Sequence, residues 1–260
     1  MKLVALLGLL AVTALPASAQ RRDTLPPIDT DRPAFTDGTH TVARGRWQVE
    51  TGYTYQQARG AGAGHVQSFP EALLRVGVND RIELRIGETF ISHRPDPDAT
   101  SGRGWDDAYV GTKVNLGSSH GGVPAVAFEL QARLPTGAQV VSGNSANRVL
   151  PGAAVLLAWE SSSPWVVGME GLVARSADQG AQVFASISVQ YSATRRAQLY
   201  GEYVMMQPIG AGLAVLPEHS ASAGLLVLLA NDIQADARVG AGLNHAADRY
   251  SFGFGLSFRH

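Results

Sequence analysis

From Trp47 onward, apolar and polar residues alternate singly along the chain. Trp47, Val49, Thr51, Tyr53 and Tyr55 share one face, and Gln48, Glu50, Gly52 and Thr54 share the other. Ile82, Leu84 and Ile86 oppose Glu83, Arg85 and Gly87 in the same way. Val126 to Leu134, Val183 to Val189, Ile233 to Ala241 and Tyr250 to Phe258 repeat the pattern. A period of two places successive side chains on opposite faces of a β-strand. Twelve strands are predicted, at about 47–55, 69–78, 82–90, 105–116, 123–134, 149–159, 165–174, 182–191, 196–204, 220–229, 233–242 and 249–258. The runs 149–159, 165–174 and 220–229 are apolar on both faces in places.

The polar faces carry glycine, serine, glutamine and few charges, whereas the water-facing side of a soluble sandwich is densely charged. Small polar residues suit the crowded, partly wet inside of a barrel whose apolar face meets lipid. The connections point the same way. Long ones (56–68, 91–104, 135–148, 205–219) alternate with short ones (79–81, 117–122, 160–164, 192–195, 230–232), as outer-membrane barrels alternate extracellular loops with periplasmic turns. The fold class predicted is all-β, a membrane-spanning antiparallel β-barrel of twelve strands, with both termini on the periplasmic side. At Asn79-Asp80-Arg81 the faces match only if Val76 lies opposite Leu84 and Leu74 opposite Ile86. That register requires a three-residue or bulged turn.

Composition sharpens this reading. Of 260 residues, 29 are glycine and only 17% are charged, against roughly 25% in ordinary soluble domains. Met1 to Ala19 has a basic start, an apolar run from Leu3 to Leu15 and the small residues Ala17-Ser18-Ala19, the pattern of a cleaved secretory leader. The predicted organisation is a leader over 1–19, a polar periplasmic or lumen-facing segment over 20–46 and an outer-membrane barrel over 47–260. After the leader, no apolar run is long enough for a spanning helix. A net charge of -1 argues against nucleic acid as a partner. The chain has no cysteine, so disulfides and thiolate chemistry are excluded.

Several stretches resemble a known family. Thr30-Asp31-Arg32-Pro33-Ala34-Phe35-Thr36 is followed by Gly45-Arg46-Trp47-Gln48-Val49-Glu50-Thr51-Gly52. The run Leu74 to Arg85 around Asn79, Leu134-Pro135-Thr136-Gly137, and Asn231-Asp232-Ile233-Gln234 leading to Gly240-Ala241-Gly242-Leu243-Asn244 complete the set. Over nearly the whole mature chain this resembles the bacterial outer-membrane transporter family of the MetA pathway of phenol degradation. The resemblance implies an outer-membrane barrel that moves hydrophobic or aromatic compounds, and it supplies no catalytic or binding residue. Barrels commonly end on an aromatic residue, but here Phe258 is followed by Arg259 and His260.

In the predicted register ten charged side chains point inward: Glu50, Arg75, Glu83, Arg85, Lys113, Glu129, Arg133, Glu202, Asp236 and Arg238. Unpaired charges in a confined lumen are costly, so partners or water are required. They either brace the wall or form a constriction that selects solutes. Arg75 and Arg85 lie nearly opposite and need a carboxylate between them, from Glu83, Glu50 or Asp31. Asp29, Asp31 and Arg32 belong to a segment that either folds into the lumen as a plug or tethers beneath the barrel. Aqueous reagents are expected to reach positions 83 and 85 from the lumen and to miss 84 and 86.

Enzyme chemistry has thin support. Asp106, Asp107 and Tyr109 form a polar group at the start of the fourth strand, read as a strand junction at the barrel rim. The histidines at 40, 65, 93, 120, 219, 245 and 260 lie in connections without metal-ligand spacing. The expected function is passive transport of a small solute, with no cofactor. Outer-membrane lipids and the barrel assembly machinery are the expected partners, and the oligomeric state is open. A lipid-modifying barrel enzyme and a non-conducting structural barrel are the rival readings.

Overall fold

The protein is described here from a computed structural model covering residues 25–60, 64–94, 101–160, 163–177, 180–210 and 216–260. The predicted leader, 1–19, and the first residues after it lie outside the described residues. Thirteen strands form one sheet: β1 (Trp47–Gln57), β2 (His65–Asn79), β3 (Ile82–Arg94), β4 (Gly102–Trp105), β5 (Ala108–Gly117), β6 (Ala125–Leu134), β7 (Leu150–Glu160), β8 (Trp165–Ser176), β9 (Gly180–Ser192), β10 (Ala197–Ile209), β11 (Glu218–Ala230), β12 (Ile233–Gly242) and β13 (Tyr250–Arg259). Every pairing is antiparallel. β1 pairs with β13, and the sheet closes on itself through β2 and β3. Closure gives every spanning strand two neighbours, which satisfies the backbone within lipid.

β4 and β5 both pair with β3 and continue one another, so the wall has twelve staves. The break between them is Asp106-Asp107. A single turn of helix, α1 (Gln139–Ser142), lies in the β6–β7 connection. Trp105 O accepts a hydrogen bond from Ala138 N at the edge of β4.

Leu84, Ile86, Phe128, Leu130, Val239 and Phe254 are exposed on the outer face, as the alternation predicts. The bulged turn is present. Val76 lies opposite Leu84, Leu74 opposite Ile86 and Arg75 opposite Arg85, with the irregularity between Gly77 and Asn79. Several strands run further toward the long loops than the apolar pattern does. His65↔Arg94 and Gln67↔Ser92 extend the β2–β3 ladder beyond the predicted ends. Backbone pairing needs no apolar side chain once the strand has left the lipid, so hydropathy understates these ends.

β1 and β13 meet at the short-turn end, which is the periplasmic end in an outer-membrane barrel. Trp47 packs edge-on against Phe258 with ring centroids 5.3 Å apart, and it also contacts His260 at 5.5 Å. The Arg259 guanidinium bonds to Asp232 at 2.6 Å and to Pro26 O at 2.8 Å. The two residues after the last aromatic thus sit in specific contacts at this rim.

Candidate functional site: the filled lumen

The inner wall carries its densest charge on β1, β2, β3, β5 and β12. The opposite side has fewer charges, among them Glu170 and Glu202, and there Ala127, Ala154 and Leu156 are buried against Leu172, forming a small core on β6–β8. Phe184, Val204 and Met206, from β9 and β10, also project inward, since they share parity with the buried Ser186, Ser188 and Glu202.

Between these sides runs the segment from Leu25 to Arg46, which touches wall after wall. Glu50 on β1 accepts from Asp31 N (3.3 Å) and Arg32 N (3.0 Å). Glu202 on β10 accepts from Phe35 N at 3.0 Å and from Thr36 N and Thr36 Oγ1 at 2.6 Å each. Glu170 on β8 accepts from Asp37 N at 2.9 Å, and Glu83 on β3 from Val42 N at 2.8 Å. Four wall glutamates therefore hold main-chain N–H groups that would otherwise be buried without partners. Asn115 on β5 donates to Thr39 O, and Arg238 on β12 to Pro33 O.

Side chains complete the hold. The Asp31 carboxylate lies within ion-pair distance of Arg75 (3.3 Å), Arg85 (2.6 Å) and Lys113 (3.1 Å). Burial alone would favour its neutral form. The three cations outweigh burial and keep the carboxyl ionised far below the usual range. Each of the three carboxylates considered for the Arg75–Arg85 pair takes part. Arg75 bonds to Glu50 at 2.9 Å and Glu83 at 2.9 Å, and Arg85 reaches Glu83 at 3.2 Å and Asp37 at 2.9 Å. Arg32 reaches across to Glu71 at 2.6 Å and to Asp236 at 3.5 Å. Wall glycines make room: a Cβ on Gly52 would lie 2.1 Å from the Arg32 guanidinium, and one on Gly77 would lie 2.2 Å from Ala43 O.

Most of the ten predicted inward charges are thus gathered around this segment. Glu129 joins at one remove, accepting from Tyr109, which in turn accepts from Arg85 Nε at 3.1 Å. Arg133 does not reach the segment. It is half-exposed near the long-loop end and pairs with Asp106. Asp29 is also set apart, exposed at the short-turn end and bonded to His40 Nδ1 at 2.9 Å. Hydrogen bonds donated by its ring nitrogens to the Asp29 and Glu160 carboxylates raise the His40 imidazole to about 10, so it is charged at neutral pH. The expectation of water access at 83 and 85 is corrected: Glu83 is 0% and Arg85 4% exposed, because the segment covers them. Glu71, Asp37 and Glu170 escaped the sequence reading, and Tyr109, singled out there with Asp106 and Asp107 as a rim junction, instead bonds Arg85 and Glu129 inside the lumen. Glu71 shares parity with Arg75, and Glu170 is a lone acid in an apolar strand, so both carried a usable signal.

The remaining lumen space is divided. A cavity of about 380 Å³ at the short-turn end is lined by Pro33, Ala34, Thr36, Tyr200 and Leu226, among others. A second, of about 630 Å³, lies beside His40, Asp80 and Arg259. Toward the long loops, one pocket of about 330 Å³ sits among Glu71, Arg85, Asp106 and Arg133, and another of about 110 Å³ is lined by Phe35, Phe184 and Met206. Asp107 accepts from Gly137 N (3.0 Å) and Asn144 Nδ2 (2.7 Å), tying the β6–β7 loop to the rim. Among the described residues no group of three or more metal-ligating side chains is assembled.

A closed twelve-stave barrel, apolar outside and lined with polar and charged groups, has the architecture of an outer-membrane β-barrel protein. The chain belongs to the family described as "Putative MetA-pathway of phenol degradation", whose profile matches residues 30–260. Comparison with curated proteins gave no match. Among solved structures it is similar to the COG4313 outer membrane channel from Pseudomonas putida F1, at 11% identity and a TM-score of 0.69, covering 88% of this chain and 100% of that one. The KdgM porin matches at 8% identity and a TM-score of 0.56, covering 81% and 98% of the two chains. The NanC porin matches at 11% identity and a TM-score of 0.53, covering 82% and 98%. At such identities these likenesses establish the fold.

Proposed function

We propose that the protein is a passive outer-membrane channel for small solutes and that the segment over 20–46 is its plug. The leader over 1–19 is removed on export, and the barrel is inserted by the assembly machinery. The observation that carries the reading is the bonding of residues 31 to 42 to β1, β3, β8 and β10, which stand on opposite sides of the lumen. Most of the contacts are hydrogen bonds and ion pairs, beside the buried Ile28, Pro33 and Val42. Such a segment can exchange its partners for water when it is displaced. The charged wall beneath then lines the open path as a selecting constriction. The family's description favours aromatic compounds as the solute class.

Liposome swelling with the mature chain tests this. Wild-type protein is expected to admit small sugars slowly, and Asp31→Ala, which removes the anion shared by three cations, to admit them several-fold faster. Heat-modifiable migration on a gel establishes that both are folded. Folded Asp31→Ala no more permeable than wild type would overturn the plug and favour a non-conducting structural barrel.

A further inference from the structure

Residues Pro33 to Thr36 stand between two of the lumen spaces. Pro33, Ala34 and Thr36 line the 380 Å³ cavity on the short-turn side, and Phe35 lines the 110 Å³ pocket on the long-loop side. The wall repeats the sequence of levels. On β10, Tyr200 faces the lower cavity, Glu202 holds the partition, and Val204 and Met206 face the upper pocket. One strand of chain, held by Glu202 together with Tyr200, Arg238 and Ser186, separates the two spaces.

The upper pocket has two chemically distinct sides. Phe35, Phe184, Val204 and Met206 make one side apolar. Phe35 is 39% exposed within the lumen, although its backbone is fixed. On the other side stand Glu218 and Asp248. Neither has a cationic partner within ion-pair distance among the described residues. Asp248 accepts from Gln56 at 3.3 Å. The nearby cations are committed elsewhere: Arg59 donates to Ala247 O and Gly242 O, and Arg238 packs 4.5 Å from the Phe35 ring while donating to Pro33 O and Thr54. The volume is somewhat below the ~150 Å³ that encloses benzene, so a ring seats with its polar end in the open mouth.

We propose that this pocket binds a small amine with an apolar ring or chain, its body against Phe35, Phe184 and Met206 and its ammonium toward Glu218 and Asp248. The Pro33–Thr36 partition, latched by Glu202, is the point where the solute passes. This rests on the reading of the chain as a plugged channel, and it moves the route away from the arginine cluster to the β9–β12 side. Ring binding against Phe35 draws directly on the element that must move.

Two measurements test it on the folded mature chain. The first is calorimetric titration with benzylammonium, with benzoate as the charge-reversed control. Benzylammonium is expected to bind, benzoate at least tenfold more weakly, and both Phe184→Ser and the double variant Glu218→Gln/Asp248→Asn to weaken the amine at least fivefold. Equal binding of benzoate, unchanged affinity in the variants, or no binding would overturn the site, and none of these depends on flux. The second is planar-bilayer conductance of Glu202→Gln. A several-fold rise, blocked by benzylammonium from the long-loop side, supports the passage point. If Asp31→Ala conducts and Glu202→Gln does not, the passage point is wrong and the channel stands. If neither conducts, the channel reading itself has failed.

Discussion

Asp31 has the most demanding environment in the molecule. It is ringed by Arg75, Arg85 and Lys113, and removing it leaves three buried cations with fewer anions to share. Breaking a buried ion pair by deleting one partner costs about 3–5 kcal/mol, so Asp31→Ala should lower the urea midpoint of unfolding in detergent well beyond an exposed substitution such as Asp80→Ala. His40 offers a test by pH. Its pKa is raised to about 10 from 6.5, chiefly by the hydrogen bonds it donates to Asp29 and Glu160. The stabilisation is therefore complete below about pH 6.5 and is lost as the pH rises through about 10. The difference in melting temperature between wild type and His40→Asn should narrow over that window. Because both His40 and Asp29 are half-exposed, the effect is modest and falls with salt. A difference that grew with pH would contradict the assigned partners.

At the scale of elements, the outer face and the register were legible in the sequence because lipid imposes a strict period of two. Leu84 and Ile86 announce the lipid side of β3, and the Asn79 turn fixes its register with β2. The inner face was half legible. Glu50, Arg75, Glu83 and Arg85 stood out as charges, but nothing in their spacing told what they would hold, because the answer lies in a proline-rich stretch with no periodicity of its own. Phe184 and Met206 escaped for the opposite reason: alternation is read as lipid against polar, and an apolar residue facing inward breaks that rule. Leu84→Arg should cost about 2–4 kcal/mol near the bilayer midplane, measured by unfolding in lipid. Gly77 makes a complementary case. Alanine there meets the carbonyls of Ala43 and Val42 at 2.2 and 2.3 Å, so the segment must yield while the strand gains a residue better suited to it. A single cysteine at position 257, where the serine is 0% exposed on the inner face and bonds nothing in the segment, should resist aqueous thiol reagents in the otherwise native chain and react in the Gly77→Ala background. Equal reactivity in both would place the segment elsewhere.

At the scale of the whole molecule, labour is divided between a closed wall and a segment that fills it. The closed sheet satisfies its own backbone and meets lipid on its apolar face. The segment over 25–46 satisfies the charges inside, and its own N–H groups are satisfied by glutamates of the wall. Removing it leaves a lumen that water can fill and a wall whose arginines still have Glu50, Glu83 and Glu129 as partners. The most direct measurement is single-channel conductance in planar bilayers of the mature chain and of the same chain lacking residues 25–42, both shown to be folded by heat-modifiable migration. A low, intermittent conductance in the first and a large, steady, ohmic conductance in the second is the predicted result. Equal conductance in the two folded proteins would contradict the claim that this segment closes the barrel.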